Sequence, residues 1–326
     1  MSSSSRTEGP LSGAAAGDTD NWLTKLRLQT PKYVYFDGEV RPWEEAVFHV
    51  SSEAVLRGLS VFEGVKGYWQ PNGDFAFLLL ERHHERLMRS ARLLHIPPTA
   101  DYDEFERACF QIAEALLEPE NDLWIRATLF VVEGHYGVGT VANLVLTAYQ
   151  SEKRPPEPID VGVSTWQRSA DLAMPARIKM ASNYQVARLA RIEGRARGCD
   201  DMVLLNQFGR VAEGTGACML VVRDGCVYTP PASEGALESI TLDVVEDLCA
   251  SAGIDFVRRP VERSELYIAD EVGIVGTLAE VTTVRSVDGM ALPDEAPILS
   301  SLLHRYRTAA MGLDPHPSVE LSVVPR

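Results

Sequence analysis

Apolar and polar residues change their rhythm several times along the chain, and each change marks an element. Residues 32–40 carry Tyr33, Val34, Tyr35 and Phe36 and then meet Asp37-Gly38, which predicts a strand entering a hairpin turn. Ser51, Ser52 and Glu53 predict the cap of a short helix that stops near Gly58. Residues 60–68 predict a strand, Asn72-Gly73 a turn, and residues 75–80 the returning strand. Residues 81–94 predict a helix with Arg and His crowded on one side. In residues 103–117, Phe105, Cys109, Ile112 and Leu116 recur at helical spacing. Strands follow at 123–132 and 142–148. This half predicts a mixed sheet with helices on one side, an α+β unit.

Residues 151–158, Ser-Glu-Lys-Arg-Pro-Pro-Glu-Pro, can continue neither a helix nor a strand and read as a linker. They divide a smaller N-terminal domain, 21–150, from a larger C-terminal one, 159–326. The second half predicts a strand at 159–165 and a helix at 183–197 ended by Gly198. A strand at 202–205, a turn at 206–209, and strands at 211–213 and 219–222 come next. Asp224-Gly225 makes a hairpin, Ser239 opens a helix that Gly253 ends, and Ser264 opens a short one. A strand at 272–275 leads to a turn at 276–280. Many short strands with interspersed helices predict a second α/β domain of barrel-like form. Residues 1–20, rich in Ser, Gly and Ala, read as a disordered tail; residues 21–29 fit a short helix or an arm on a partner equally well.

Composition narrows the function. A length of 326 residues suits about two domains. A net charge of -15 repels phosphate backbones and argues against nucleic acid as a partner. No apolar run approaches the ~20 residues that span a bilayer, and no signal-peptide core opens the chain. The five cysteines, Cys109, Cys199, Cys218, Cys226 and Cys249, are odd in number, widely spaced and without a CxxC pair. They suit a reducing cytoplasm, and neither a disulfide framework nor a metal site is expected.

Lysine is scarce: Lys25, Lys32, Lys66, Lys153 and Lys179 are all there are. Lys179 lies between apolar Ile178 and Met180, just ahead of a helix carrying Asn183 and Tyr184. Glu213 follows at the end of a strand in Val-Ala-Glu-Gly-Thr-Gly. A lysine amine can hold an aldehyde cofactor as a Schiff base, and a carboxylate can keep a pyridine nitrogen protonated. Gly214 and Gly216 would let a flat ring approach the backbone. A surface lysine and a strand-end carboxylate are the plain alternatives. A phosphate needs N–H or cationic donors, which the helix start at Ser239-Ile240-Thr241 offers, as does the Gly276-Thr277 turn. Simple capping by Ser239 explains the former equally well. Arg86 is a further candidate, in a helix that also holds Arg82, Arg89 and Arg92, where a solvated face is the plain reading.

Taken together, Ser-Val-Phe-Glu-Gly at 60–64, Arg86-Leu87, Lys179 with Asn183-Tyr184, Glu213-Gly214-Thr215-Gly216, Ser239-Ile240-Thr241, Tyr-Ile-Ala-Asp-Glu-Val at 267–272, Gly-Thr-Leu-Ala-Glu at 276–280 and Val-Arg-Ser-Val-Asp-Gly at 284–289 resemble the class IV aminotransferases. These are the fold-type IV enzymes of pyridoxal 5'-phosphate (PLP), and the chain is most similar to their branched-chain amino acid members. The resemblance runs from about residue 32 to the C-terminal region. It implies a two-domain homodimer with the cofactor between the domains. It also implies transamination between an apolar or branched L-amino acid and a 2-oxo acid such as 2-oxoglutarate. On the matching positions, Lys179 would be the Schiff-base lysine and the catalytic residue. Glu213 would hold the pyridine nitrogen, Tyr184 would contact the ring oxygen, and Leu237 would pack on the ring. Arg86, Ile240, Thr241 and Thr277 would hold the phosphate. Thr277 and Leu278 would offer amides to the substrate carboxylate, and Phe62, Trp124 and Arg126 would line the substrate side.

The chain departs from the pattern at Lys66, where branched-chain enzymes usually have arginine, and at Arg57, where they commonly have tyrosine. Trp124 replaces a usual tyrosine, and Gly216-Ala217-Cys218 replaces Gly-Glu-Asn. Arg57 and Lys66 are therefore read as substrate-binding residues, with Arg57 either entering the pocket or pairing with a structural carboxylate. They keep open a D-amino acid or (R)-selective amine transaminase. A PLP lyase like aminodeoxychorismate lyase shares the fold and is a further alternative.

Overall fold

In the computed structural model the described residues are 30–151 and 153–325; the tail at 1–20 and the segment 21–29 lie outside them. Tight turns set the early part of the fold. β1 (Tyr33–Phe36) and β2 (Glu39–Pro42) form the hairpin at Asp37-Gly38. α1 (Glu53–Arg57) begins at Ser52, whose Oγ accepts from Val55 N, and ends at Gly58 with φ 66°. β3 (Ser60–Trp69) and β4 (Phe75–Leu78) flank the Asn72-Gly73 turn. α2 (Leu80–Leu93) and α3 (Tyr102–Leu116) follow, the latter capped by Asp101. β5 (Asp122–Glu133) and β6 (Val141–Ser151) complete the half.

β3 is buried on both faces, and strict alternation explains how it serves two cores. Val61 and Val65 pack into a cluster with Leu87 and Ala91 of α2 and Phe105, Cys109 and Ile112 of α3. The intervening positions, Phe62, Gly64, Lys66 and Tyr68, face the second half of the chain. Tyr68 accordingly joins a different core, with Leu220, Val245 and Tyr306.

The first sheet has seven strands, β16 (Leu321–Val323) followed by β4-β3-β5-β6-β1-β2, and is antiparallel throughout. The mixed pairing expected of this half is found instead in the second sheet, whose strands are joined by helical crossovers. That sheet uses β7 (Ile159–Gln167), β8 (Asp201–Leu205), β9 (Val211–Gly214), β10 (Cys218–Arg223), β11 (Cys226–Thr229), β12 (Phe256–Arg258), β13 (Glu271–Gly276), β14 (Glu280–Val287) and the short β15 (Met290–Ala291). α4 (Tyr184–Ala196) crosses from β7 to β8, and the two strands pair in parallel. β14 and β7 are also parallel. At the far end, Gly214 N donates to Ala217 O, so the sheet curls back toward β10 around a core of Val161, Val203, Met219 and Ile274. α5 (Ile240–Ala252) and α6 (Pro297–Ala310) cover its outer side.

β16 (Leu321–Val323) returns to the first sheet and pairs with β4. The expected division places residues 159–326 together in the second domain. The chain instead crosses the boundary twice, because the open edge of β4 is satisfied by its own C-terminal strand.

One contact in the first sheet allows no slack. A Cβ at Gly67 would stand 2.2 Å from Phe75 Cζ and 3.0 Å from Phe77 Cδ1. Gly67→Ala should therefore cost about 1–3 kcal/mol through overpacking. The measurement is the urea midpoint of unfolding at constant m-value.

Candidate active site

The segment around Lys179 is held as an extended strap rather than as part of a helix. Asn183 locks it by donating to the carbonyls of Pro175 (3.0 Å) and Ile178 (2.9 Å). Lys179 N donates to Ser90 Oγ of α2 at 3.1 Å, and Lys179 O accepts from Phe62 N of β3 at 2.9 Å. Met180 bridges Val61 in the same antiparallel sense. These bonds fix the backbone of the lysine against the upper half of β3, which β4 leaves unpaired.

The side chain then enters a narrow cavity lined by Arg168, Ile178, Asn183, Tyr184, Glu213 and Leu237, among others. Its Nζ donates to Tyr184 Oη at 3.1 Å and lies 5.1 Å from the centroid of the Phe62 ring. Among the described residues no carboxylate pairs with it. Across the cavity, Glu213 Oε2 accepts from Leu237 N at 2.9 Å, and Oε1 lies 3.1 Å from Arg168 Nε. Arg168 also donates to Gly235 O and Asn183 O, both at 3.2 Å. It thus ties together three walls of the site. The sequence alone marks neither Arg168 nor Asn183 as a site residue. Arg168 carries no spacing signal, whereas Asn183 stood beside Tyr184 in the motif.

Beside this cavity opens a cleft of about 300 Å³ lined by Arg82, Arg86, Arg89, Glu238, Ile240 and Arg258, with Asp243. Arg86 is buried and grips Glu63 with two bonds, Nε to Oε1 at 2.7 Å and Nη2 to Oε2 at 2.8 Å; Nη1 donates to Glu238 O at 2.8 Å. His83 Nδ1 lies 2.8 Å from Glu63 Oε2. Burial of Glu63 opposes its charge, but the Arg86 guanidinium and the His83 contact outweigh it and hold the carboxyl well below the usual range. Burial pushes the His83 ring the other way, toward the neutral form. Ile240 and Thr241, both buried, open α5 ahead of its first intrahelical bond, from Asp243 N to Ser239 O. Their amides are those that a helix start leaves for an anion. Ser239 Oγ meanwhile caps Leu242 N at 3.2 Å. Cys218 Sγ donates to Leu237 O at 3.5 Å, and burial pushes its thiol up to about 12, away from the reactive thiolate form.

On the substrate side, Arg126 stacks on Phe62 at 3.7 Å, and Phe62 meets Tyr184 at 5.0 Å. Burial lowers the Arg126 pKa, and among the described residues no carboxylate pairs with it. Trp124 stacks on Tyr149. Thr277 is half-buried and Leu278 exposed, in the loop between β13 and β14. Two expected pocket residues are engaged elsewhere. Arg57 pairs with Glu53 at 2.7 Å and lies over the Tyr136 ring. Lys66 pairs with Glu280 at 2.7 Å.

A lysine amine that no carboxylate among the described residues pairs, a carboxylate held opposite by donors, a leucine wall and an open helix start suit PLP. The donor set fits the group. Fold and site together define a class IV aminotransferase. The chain matches the amino-transferase class IV profile over residues 60–287, belongs to that family and is an enzyme. Class IV aminotransferases are PLP-dependent. The chain is 35% identical over 270 residues to the branched-chain-amino-acid aminotransferase of Escherichia coli (strain K12), covering 79% of this chain and 85% of that one. It is similar to the solved PLP form of the branched-chain amino acid aminotransferase from Thermobaculum terrenum, with a TM-score of 0.83, 32% identity, and 91% and 99% of the two chains covered. The branched-chain aminotransferase from Thermoproteus uzoniensis with norvaline gives 0.83 at 31% identity, over 89% and 98%.

Glu63→Gln removes the charge from a buried cluster and leaves Arg86 unpaired, at an expected cost of about 3–5 kcal/mol. The pKa of Glu63 is lower folded than unfolded. Its contribution is thus complete above the unfolded glutamate value of ~4.3 and fades as pH falls below it. The acid limb of stability against pH should be shallower in the variant than in the parent, as measured by denaturant unfolding between pH 3 and 7.

Proposed function

We propose that this chain transfers the amino group of a branched or apolar L-amino acid to a 2-oxo acid such as 2-oxoglutarate, using PLP, as a cytoplasmic homodimer. The observation that carries the reading is Lys179 Nζ at 3.1 Å from Tyr184 Oη, in one cavity with Glu213. The names of the relatives supply the branched-chain preference. No helix among the described residues is long and apolar enough to cross a membrane, and the five cysteines are free thiols, which suits a reducing compartment.

When bound, PLP supplies an electron sink for the bond broken at the substrate carbon. Lys179 would hold the cofactor and, once released, move the proton at its Nζ, with Tyr184 Oη orienting that amine. Glu213, fixed by Leu237 N and Arg168, would keep a proton on the ring nitrogen. Arg86, Ile240, Thr241 and Thr277 would hold the phosphate, with Leu237 packing on the ring. Thr277 and Leu278 would receive the α-carboxylate. Phe62 and Trp124 would form an apolar wall suited to a branched side chain. Arg126 beside them, without a carboxylate of its own, would accept the distal carboxylate of a dicarboxylic acceptor. The D-amino acid or amine reading rested on Arg57 and Lys66. Their pairing with Glu53 and Glu280 leaves it without that motive.

Lys179→Ala should abolish turnover and the absorbance band of the bound cofactor; a variant that keeps the band would mean another lysine holds it. In single-donor bleaching of the PLP form, L-leucine, L-isoleucine and L-valine should react faster than D-alanine or (R)-1-phenylethylamine. Release of pyruvate with no acceptor present would favour the lyase instead. Arg126→Met should raise KM for 2-oxoglutarate roughly tenfold and leave the L-leucine half-reaction nearly unchanged.

A further inference from the structure

Lys66 shares a face of β3 with Phe62, but its ammonium is spent on Glu280 Oε1 at 2.7 Å, with both side chains buried. Tyr68 donates to the same oxygen at 3.0 Å, and Arg307 donates to Oε2 at 2.7 Å. Three donors converge on one carboxylate. The backbone of Glu280 is unusual as well. It pairs with Gly276 to close the β13–β14 hairpin, leaving Thr277, Leu278 and Ala279 as the loop, and its φ is +49°. A residue in the left-handed region at the end of a three-residue hairpin loop is ordinarily glycine, because a Cβ is strained there. Such strain persists where the surroundings over-determine it, and here the side chain is the anchor. Thr282 Oγ1 adds a bond to Ala279 O at 2.6 Å.

We infer that Lys66 is a positioning residue: acting through Glu280, it fixes the 277–279 loop and so sets affinity for the substrate's α-carboxylate without touching substrate. This rests on the reading that the Thr277 and Leu278 amides receive that carboxylate. Lys66 belongs to the first sheet and Glu280 to the second, 214 residues apart. Their pair therefore also sets how far the loop stands from Phe62 and Arg126, which share the Lys66 face of the first sheet. Losing the ammonium would leave Glu280 with Arg307 and Tyr68, so the chain can fold while the loop slackens.

The test compares the parent, Lys66→Met and Lys66→Arg as PLP holoenzymes, with L-leucine and with 3-methylbutan-1-amine, which is leucine without its carboxylate. In Lys66→Met, KM for L-leucine should rise roughly tenfold with kcat within about threefold, while the kinetics with the amine stay as in the parent. The cofactor absorbance band and its retention on dialysis should also be unchanged. Lys66→Arg should recover most of the affinity. Tyr68→Phe, a milder loss at the same carboxylate, should move KM the same way by less. Unchanged KM for L-leucine in Lys66→Met, or equal damage with both donors together with cofactor loss, would overturn the proposal. A parent that does not distinguish the two donors would instead sink the reading of the loop, and the proposal with it.

Discussion

The site depends on a short backbone junction, the bond from Phe62 N to Lys179 O with the Val61–Met180 bridge beside it. β4 pairs with only the lower part of β3, so the upper part would otherwise present unpaired groups to the interior. The strap carrying Lys179 takes up one of them, Phe62 N. Because strand side chains alternate, the same registration that places Val61 in the helical core brings Phe62 and Arg126 to the amine. A slip of one residue would turn Phe62 away and present Val61 in its place.

Around this junction, three carboxylates are each met by cations. Glu63 is clamped by Arg86, Glu213 by Arg168, and Glu280 by Lys66 and Arg307. Buried ion pairs contribute little net stability over apolar packing, yet they are costly to break singly. Their effect is geometric. Each joins segments distant in sequence: a strand to a helix in the first half, β9 to the chain after β7, and β3 to β14. Binding groups that come from several elements are thereby given fixed mutual positions before any ligand arrives.

Much of this was legible in the sequence where the signal is local. Turns at Asp37-Gly38 and Asn72-Gly73, the Ser52 and Ser239 caps and the glycine stops lie where the residues put them, because turn and cap chemistry depends on immediate neighbours. Lys179, Tyr184, Glu213 and Leu237 do line one cavity. What was not legible is partner choice. The sequence shows Lys66 on a strand face with Phe62, but not that a glutamate over two hundred positions away takes up its charge. Arg168 is one arginine among many until the fold sets Glu213 beside it. α6 opens on Ala296, which has no capping side chain, so only Pro297 marks its start.

The return of β16 to β4 has a consequence for biogenesis. As the chain emerges during synthesis, strands β1 to β6 can assemble early, since β6, the last of them, ends at Ser151. The edge of β4 nevertheless stays bare until residues 321–323 have been made. Through that interval the nascent sheet offers an open ladder to any neighbouring strand, whether from another ribosome on the same message or from a finished copy. Synthesis of β16 thus ends this exposure. A chain ending before residue 321 would hold every proposed catalytic group and leave the edge of β4 unsealed.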